Sequence, residues 1–509
     1  RKKFYFFIKI RHINNRRFER RTSIMLNAIP MVISKESFEQ IFTFAEDNSA
    51  LAKNLYNAAL FRIRQVFTGW NKAKRTELEQ LVFDELKQTE TVYKSFKPRH
   101  VLSYAALDKI MRATDNPDFF AGLPMQTAQQ VLKDAVHDFK AWLDSLKEYK
   151  KNPSNYTGKP KMPGYCKSNH KTFTITNQDA VIYPVIDKSG CITGNKLKLP
   201  GFKKKERVPI NYIGHKSNLR MMTFKPYYDK YIMTFVIEDM APPFYPDMPY
   251  MAGLDFGTDN IAAIACTDNS SVVYKGGAVL SSNQFFSKKK AKAVSLITQG
   301  HLKMHAESKY LLALSRKHSC FMKDQMHKIS TEIIRYCVAH RIGILVIGVN
   351  KLWKQKSNIG RKNNQNFVSV PHFQLRQMIE YKALRAGIDV IEQEESYTSK
   401  ADITASDYMP VYGKEKCRPV FSGRRIERGL YSCKEGYCIN ADCNGAANIL
   451  RKAIPDAWKD VSDFHFLATP ESIGFAMLNP ADSHKRYKQH NNWIFVSADT
   501  AGCSYRHAA

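Results

Sequence analysis

Several things are scarce in this sequence of 509 residues. No run of about 18 apolar residues occurs, so no helical membrane span is indicated. The ten cysteines form no regular framework and no Cys-x-x-Cys pair, which argues against a disulfide scaffold and fits a reducing cytoplasm. The basic opening RKKFYFFIKI has too short and too interrupted an apolar part for a signal peptide. Acids are outnumbered, 47 against 78 Lys and Arg, for a formal charge of +31. Such an excess implies a polyanionic partner. No basic amphipathic anchor stands out, so nucleic acid is favoured over a membrane surface.

In chain order, residues 1–24 read as a basic N-terminal tail, and 25–36 hold one short strand. From 37 to 149 the texture is helical. Phe38, Ile41, Phe42, Leu51, Leu55, Tyr56, Ala59 and Leu60 recur at spacings of three and four, with Arg62 and Arg64 beside the stripe. Thr127–Tyr149 is a second long amphipathic helix, with Leu123-Pro124 as its start signal. At Lys150 the pattern breaks into a stretch that interleaves Lys150, Lys151, Lys159, Lys161 and Lys171 with Tyr156 and Tyr165. Basic residues among aromatics suit phosphate neutralisation plus base stacking, although a solvated linker has the same composition. A β-rich module then runs to about 248, including a hairpin turning near Tyr228-Asp229.

Met251–Thr267 reads as two buried strands around a turn at Gly257 and Asp259-Asn260. Asp255 ends the first of them. A carboxylate there is costly unless a cation meets it, or unless it merely starts the turn. A basic helical region follows, carrying Lys288, Lys289 and Lys290. Then come the strand Arg341–Asn350, a helix from Pro371 ended by Gly387, the strand Ile388–Glu392 and the acidic turn Gln393-Glu394-Glu395. That alternation belongs to a mixed sheet with helices on it. Asp442 opens a last helix, where capping is an ordinary job for Asp. As a set, acids at the ends of separate strands and at a helix entrance match the arrangement of ribonuclease-H-like nucleases. There, converging carboxylates hold two metal ions roughly 4 Å apart.

The residues GLDFGTDNIAAIA (253–265), HKIS (327–330), VIGVNKLWKQ (346–355), GRKNNQNFVSVP (360–371), EESYTSK (394–400) and INADCNGAANILRKA (439–453) resemble the TnpB family. LPMQTAQQVLKD (123–134) and KKNPSNYTGKPKMPGY (150–165) are similar to its N-terminal half. TnpB proteins are transposon-encoded RNA-guided DNA nucleases related to the type V CRISPR effectors. The resemblance implies a multidomain chain. Its parts would be a helical recognition lobe (37–149), a β-barrel wedge domain (25–36 with 150–248) and an α/β ribonuclease-H-like, RuvC-like nuclease domain (249–454). A C-terminal tail (455–509) carries no assigned chemistry. It also implies a guide RNA, a target DNA read beside a short motif, Mg²⁺ or Mn²⁺ on the carboxylates, and a prokaryotic, nucleoid-associated protein. Lys354, Arg361 and Lys362 join the basic residues above as expected nucleic-acid contacts.

Two departures qualify the resemblance. Many relatives carry a catalytic glutamate where Gly348 stands. The acid is then Glu395, with Glu394 as the alternative, and Asp255, Glu395 and Asp442 form the expected catalytic and metal-binding set. Relatives also carry a zinc knuckle between 400 and 440, whereas Cys417, Cys433, Cys438 and Cys443 are irregularly spaced candidates for Zn²⁺ beside a hairpin-like stretch. Gly348 keeps open a nuclease-inactive RNA-guided DNA-binding protein, and the metal-dependent fold keeps open a transposase-type strand transferase.

Overall fold

A computed structural model describes residues 25–89, 101–186, 188, 190, 192–203, 207–210, 219–239, 248–299, 308–350, 370–411, 419–474 and 478. The 1–24 tail, Lys354, Arg361, Lys362 and Cys417 lie outside the described residues. The chain divides into two compact units, over residues 24–240 and 241–500.

The first unit opens with β1 (Met25–Ile33), followed by α1 (Glu39–Gly69), α2 (Glu77–Gln88), α3 (Tyr104–Ala113) and α4 (Met125–Lys151). The three-and-four spacing of α1 buries Ile41, Ala45, Ala52, Leu55, Ala59, Leu60, Ile63 and Val66 on one face. Pro124 stands at the N-cap of α4. Phe67 of α1 meets Phe139 and Trp142 of α4 edge-on, with ring centroids 5.2 and 5.5 Å apart.

Six strands follow in this unit: β2 (Phe173–Thr176), β3 (Val181–Ile186), β4 (Ile192–Lys198), β5 (Val208–Ile210), β6 (Leu219–Tyr227) and β7 (Lys230–Asp239). The β6–β7 hairpin turns at Tyr228-Asp229, with Tyr228 at φ 56°. The expected β-barrel is not found among the described residues. Instead there are two open antiparallel sheets, β1-β7-β6-β2 and β3-β4-β5. β1 remains an edge strand, which is where its Pro30 costs no ladder hydrogen bond. Helices and sheets also share one continuous apolar core, from Ile41 of α1 to Phe224 and Phe235 of the hairpin, rather than burying separate ones.

The second unit is built on a six-stranded mixed sheet. Its elements are β8 (Tyr250–Phe256), β9 (Asn260–Cys266), β10 (Ser271–Lys275), α5 (Gly277–Thr298), α6 (Lys309–Ala339), β11 (Ile342–Val349), α7 (His372–Arg385), β12 (Asp389–Glu394), β13 (Arg424–Glu427), β14 (Leu430–Ser432), β15 (Cys438–Asn440), α8 (Ala441–Ala453) and β16 (Glu471–Ile473). The sheet order is β12-β11-β8-β9-β10-β16. β8, β9 and β10 alternate in direction, while β11 and β12 run parallel to β8.

Side-chain alternation assigns the two faces. Ala252, Leu254 and Phe256 of β8 share a core with Met326, Ile329 and Ile333 of α6 and with Leu375 and Ile379 of α7. Ala263, Ala265 and Val346 pack instead with Ala446, Ala447, Ile449 and Leu450 of α8. Gly253 faces α8 with almost nothing between: a Cβ there would lie 1.9 Å from the Ala446 carbonyl oxygen. β16 comes from the stretch with few periodic apolar positions; it pairs parallel to β10 and closes that side of the sheet. Just before it, the Trp458 indole donates to the Ala447 carbonyl (3.1 Å).

Candidate active site

Four carboxylates line one cleft of about 1170 Å³ in the second unit: Asp255, Glu395 and Asp442, which are the expected set, and Asp259. Asp255 is the penultimate residue of β8, on the face toward α8. The register pairs Ile347 of β11 with Leu254, so Gly348 stands level with Asp255 on the neighbouring strand. β12 extends through Glu394, beyond the expected end at Glu392, and Glu395 follows it directly. From there its carboxylate leans across β11: Oε2 lies 3.0 Å from where a Cβ of Gly348 would be. Asp442 enters from the first turn of α8. Two glycines make the room, since a Cβ on Gly445 would come within 2.6 Å of Asp255 Oδ2.

Asp442 is not the cap of its helix. Asn440 caps α8, its side-chain oxygen accepting from the Asp442 and Cys443 N–H groups (3.0 and 3.1 Å). The Asp442 carboxylate is thereby left to accept from Asn260 Nδ2 (2.7 Å) and an Arg425 guanidinium nitrogen (3.2 Å). Glu394 is committed elsewhere. It accepts from Lys452 Nζ (2.8 Å) and the Ser396 N–H (2.7 Å), and burial notwithstanding, these partners hold it below its ordinary range.

Burial, and then the charges of Glu395 and Asp442, push the Asp255 carboxyl well above the usual carboxylate range. Glu395 is pushed up to about 7 by burial and by Glu394, against a hydrogen bond from Asn350 and the charge of Lys452. Asp255 and Glu395, made costly to ionise chiefly by burial and then by nearby acids, are groups that a bound cation relieves, so this donor set fits a divalent metal. Among the described residues, no group of three or more His, Cys, Asp or Glu is already gathered at metal-holding distances.

The cysteine site does not form among the described residues. Cys443 and Cys433 are buried in the α8 core, and Cys438 is half-buried at the start of β15. In the knuckle's place is a small sheet, β13-β14-β15, turning at Gly429 with φ 97°. Its arginines reach the cleft: Arg425 pairs with Asp442, and Arg428 pairs with Asp259 (2.5 Å).

The expected nucleic-acid contacts separate into two kinds. Arg62 is spent internally, its guanidinium forking onto Glu85 with two 2.7 Å bonds and 7% exposure. Arg64 donates to the Pro163 carbonyl (3.0 Å) and lies over the Tyr165 ring. Lys171 sits over the Tyr56 ring. The stretch after α4 is a pinned strap: Asn57 exchanges two hydrogen bonds with the Cys166 backbone, and the Trp142 indole donates to the Pro160 carbonyl. Lys150, Lys151, Lys159 and Lys161 are exposed along it, with Tyr156 edge-on to Tyr149. In the other unit, Lys288, Lys289 and Lys290 are exposed on α5. Sequence reasoning passed over Asn260, Asn350, Asn440, Arg425, Arg428 and Lys452. Arg425 and Arg428 had a signal, in the hairpin-like stretch.

The cleft is thus a set of carboxylates converging over a mixed sheet, and comparisons with known proteins bear on the chain that carries it. The family described as "Probable transposase" matches residues 245–354, and the family described as "Cas12f1-like, TNB domain" matches residues 372–449. A "TnpB-like protein ORF457" of Acidianus two-tailed virus is 28% identical over 208 residues, 40% of this chain and 42% of that protein. A "CRISPR-associated endodeoxyribonuclease Cas12f1" of Sulfoacidibacillus thermotolerans is 27% identical over 228 residues, 43% of this chain and 48% of that protein. The matches thus span less than half the length of either relative. Among solved structures, a Cas12f1–sgRNA–target DNA complex aligns with 83% of this chain and 98% of its own at 14% identity and TM-score 0.30. The mini-RNA-guided endonuclease CRISPR-Cas_phi3 aligns over 88% and 94% at 9% identity and TM-score 0.38. Parts of the chain are thus similar to transposase-family, TnpB-like and Cas12f1-like sequences.

Proposed function

We propose that the chain is a transposon-associated, RNA-guided, metal-dependent DNA endonuclease, and that the 241–500 unit is its RuvC-like nuclease domain. The observation that carries this reading is the convergence of Asp255, Glu395 and Asp442 on one cleft from two strand ends and a helix start. The relatives named as an endodeoxyribonuclease and a TnpB-like protein support it.

Asp255, Glu395 and Asp442 would hold Mg²⁺ or Mn²⁺, which supplies activation of water and stabilisation of the leaving oxygen. The chain's own groups do the rest. Asn260 and Arg425 orient Asp442. Asn350 orients Glu395. Arg425 and Arg428 present guanidinium donors at the cleft, suited to phosphate oxygens. Guide RNA and target DNA would be held through their backbones by exposed lysines, such as those of the strap and of α5, with base pairing choosing the sequence. No helix among the described residues is long and apolar enough to cross a membrane. A nucleoid-associated protein of a prokaryotic cytoplasm is the setting this reading implies.

Gly348 is the feature that favours a non-cleaving protein. Its bare α-carbon also leaves the space into which Glu395 reaches, which favours cleavage instead. The test is to purify the full chain with its co-purifying RNA and challenge it with a plasmid library in Mg²⁺. Linear product beside a fixed short motif, lost in Asp255→Ala, supports the reading. Guided binding without cleavage in Mg²⁺ or Mn²⁺ refutes it.

A further inference from the structure

Glu395 follows an edge strand, with no sheet neighbour beyond β12 among the described residues to steady it. The turn after it, residues 396–401, includes Tyr397 at φ 67°, a backbone conformation a bulky residue adopts only when its surroundings impose it. The surroundings here are one helix. On α8, Asn444, Asn448 and Lys452 recur every four residues and so share a stripe. The Asn448 amide donates to the Thr398 and Ala401 carbonyls (3.0 and 2.7 Å). Asn444 donates to the Ala401 carbonyl (2.8 Å) and accepts from the Ile403 N–H (3.2 Å). Lys452 Nζ donates to the Ser396 carbonyl (2.7 Å), to Glu394 Oε2 (2.8 Å) and to the Pro410 carbonyl (3.3 Å). Both asparagines are wholly buried. The residues on either side of Glu395 are therefore gripped by the helix whose first turn carries Asp442.

We propose that Asn448 and Lys452 are positioning residues for Glu395: through them α8 sets the place of two acids of the Asp255–Glu395–Asp442 set at once, one directly and one through the turn it holds. This inference rests on the nuclease reading. A divalent site tolerates little error in ligand placement, and a strand-edge glutamate needs such an external hold.

The test uses the full chain and Mn²⁺, with Asp255→Ala as the blank for site-specific binding. Free Mn²⁺ is measured by electron paramagnetic resonance, alongside thermal midpoint, guided target binding and guided cleavage. The variants are Lys452→Met, Lys452→Arg, Asn448→Ala and the pair Lys452→Met with Glu394→Gln. The pair removes both charges and so leaves no unpartnered acid behind. We expect the pair and Asn448→Ala each to weaken site-specific Mn²⁺ binding about tenfold and to slow cleavage at least as much, with target binding unchanged. Lys452→Arg, which keeps charge and donors, should recover most of both. Wild-type Mn²⁺ affinity and cleavage in the pair overturn the inference while leaving the nuclease reading intact. So does a defect that merely tracks a lowered thermal midpoint and is not recovered by Lys452→Arg. Wild-type protein with no Mn²⁺ binding above the blank overturns both.

Discussion

Glu395 reaches over Gly348: the carboxylate Oε2 of the first lies 3.0 Å from the position a Cβ of the second would take, closer than an unstrained contact. The gap at 348 and the acid at 395 are thus one arrangement. Gly348→Ala should displace the Glu395 carboxylate slightly and lower guided cleavage in a single-turnover assay. Its effect on stability should stay within about 1–2 kcal/mol, because the closest atom met, Ile449 Cδ1, ends a side chain that can turn away. Wild-type cleavage in this variant would refute the link.

The two adjacent glutamates should behave differently. Glu395→Gln is expected to stop cleavage with target binding retained. Glu394→Gln should retain most cleavage. It should instead lower stability by about 1 kcal/mol, since Lys452 keeps its carbonyl partners and Glu394 is 40% exposed. Cleavage rates and denaturant midpoints on the same preparations separate the two outcomes.

Capping and catalysis at the start of α8 should also separate. Asn440→Ala should cost about 1 kcal/mol of stability, the usual value of a lost cap. Asp442→Ala should cost less, and Asp255→Ala should hold or raise the melting temperature by removing a buried acid that its neighbours repel. Both Asp variants should abolish cleavage and keep target binding. An Asp442→Ala protein as destabilised as Asn440→Ala would return Asp442 to a structural role.

With a net charge of +31, guide binding should fall steeply with salt as phosphates recover their counterions. Replacing Lys159 and Lys161 by Ala should lower the salt slope by about 1–2 and weaken binding across all sequences alike. Arg62→Ala should change the slope by nothing and instead destabilise the fold by breaking its pair with Glu85. Filter binding between about 50 and 200 mM salt decides this.

Legibility in the sequence followed the range of the cause. β8, β9 and β11 could be read because their small and apolar runs are local, and the long helices because three-and-four spacing is local. Asp255 was readable for the same reason. Arg62 was misread because the partner that consumes it, Glu85, lies 23 residues away on α2. Asn440 and Asp442 are both good caps, and only backbone geometry assigns the cap to one of them. The expected barrel is not found among the described residues, where β1 and β2 are sheet edges, because strand composition does not specify closure. β16 could not be foreseen, since its three residues are a strand only by pairing with β10.

The contact of Gly253 with Ala446 gives this cleft a mechanical asymmetry. Helix backbone already rests on strand backbone, with no compressible side chain in the gap. α8 therefore meets a hard stop toward the sheet. The contact fixes how closely the middle of α8 can lie to β8, the strand that carries Asp255. Any bulk added at Gly253 would move that limit outward for every copy of the protein, and no rearrangement of side chains could restore it.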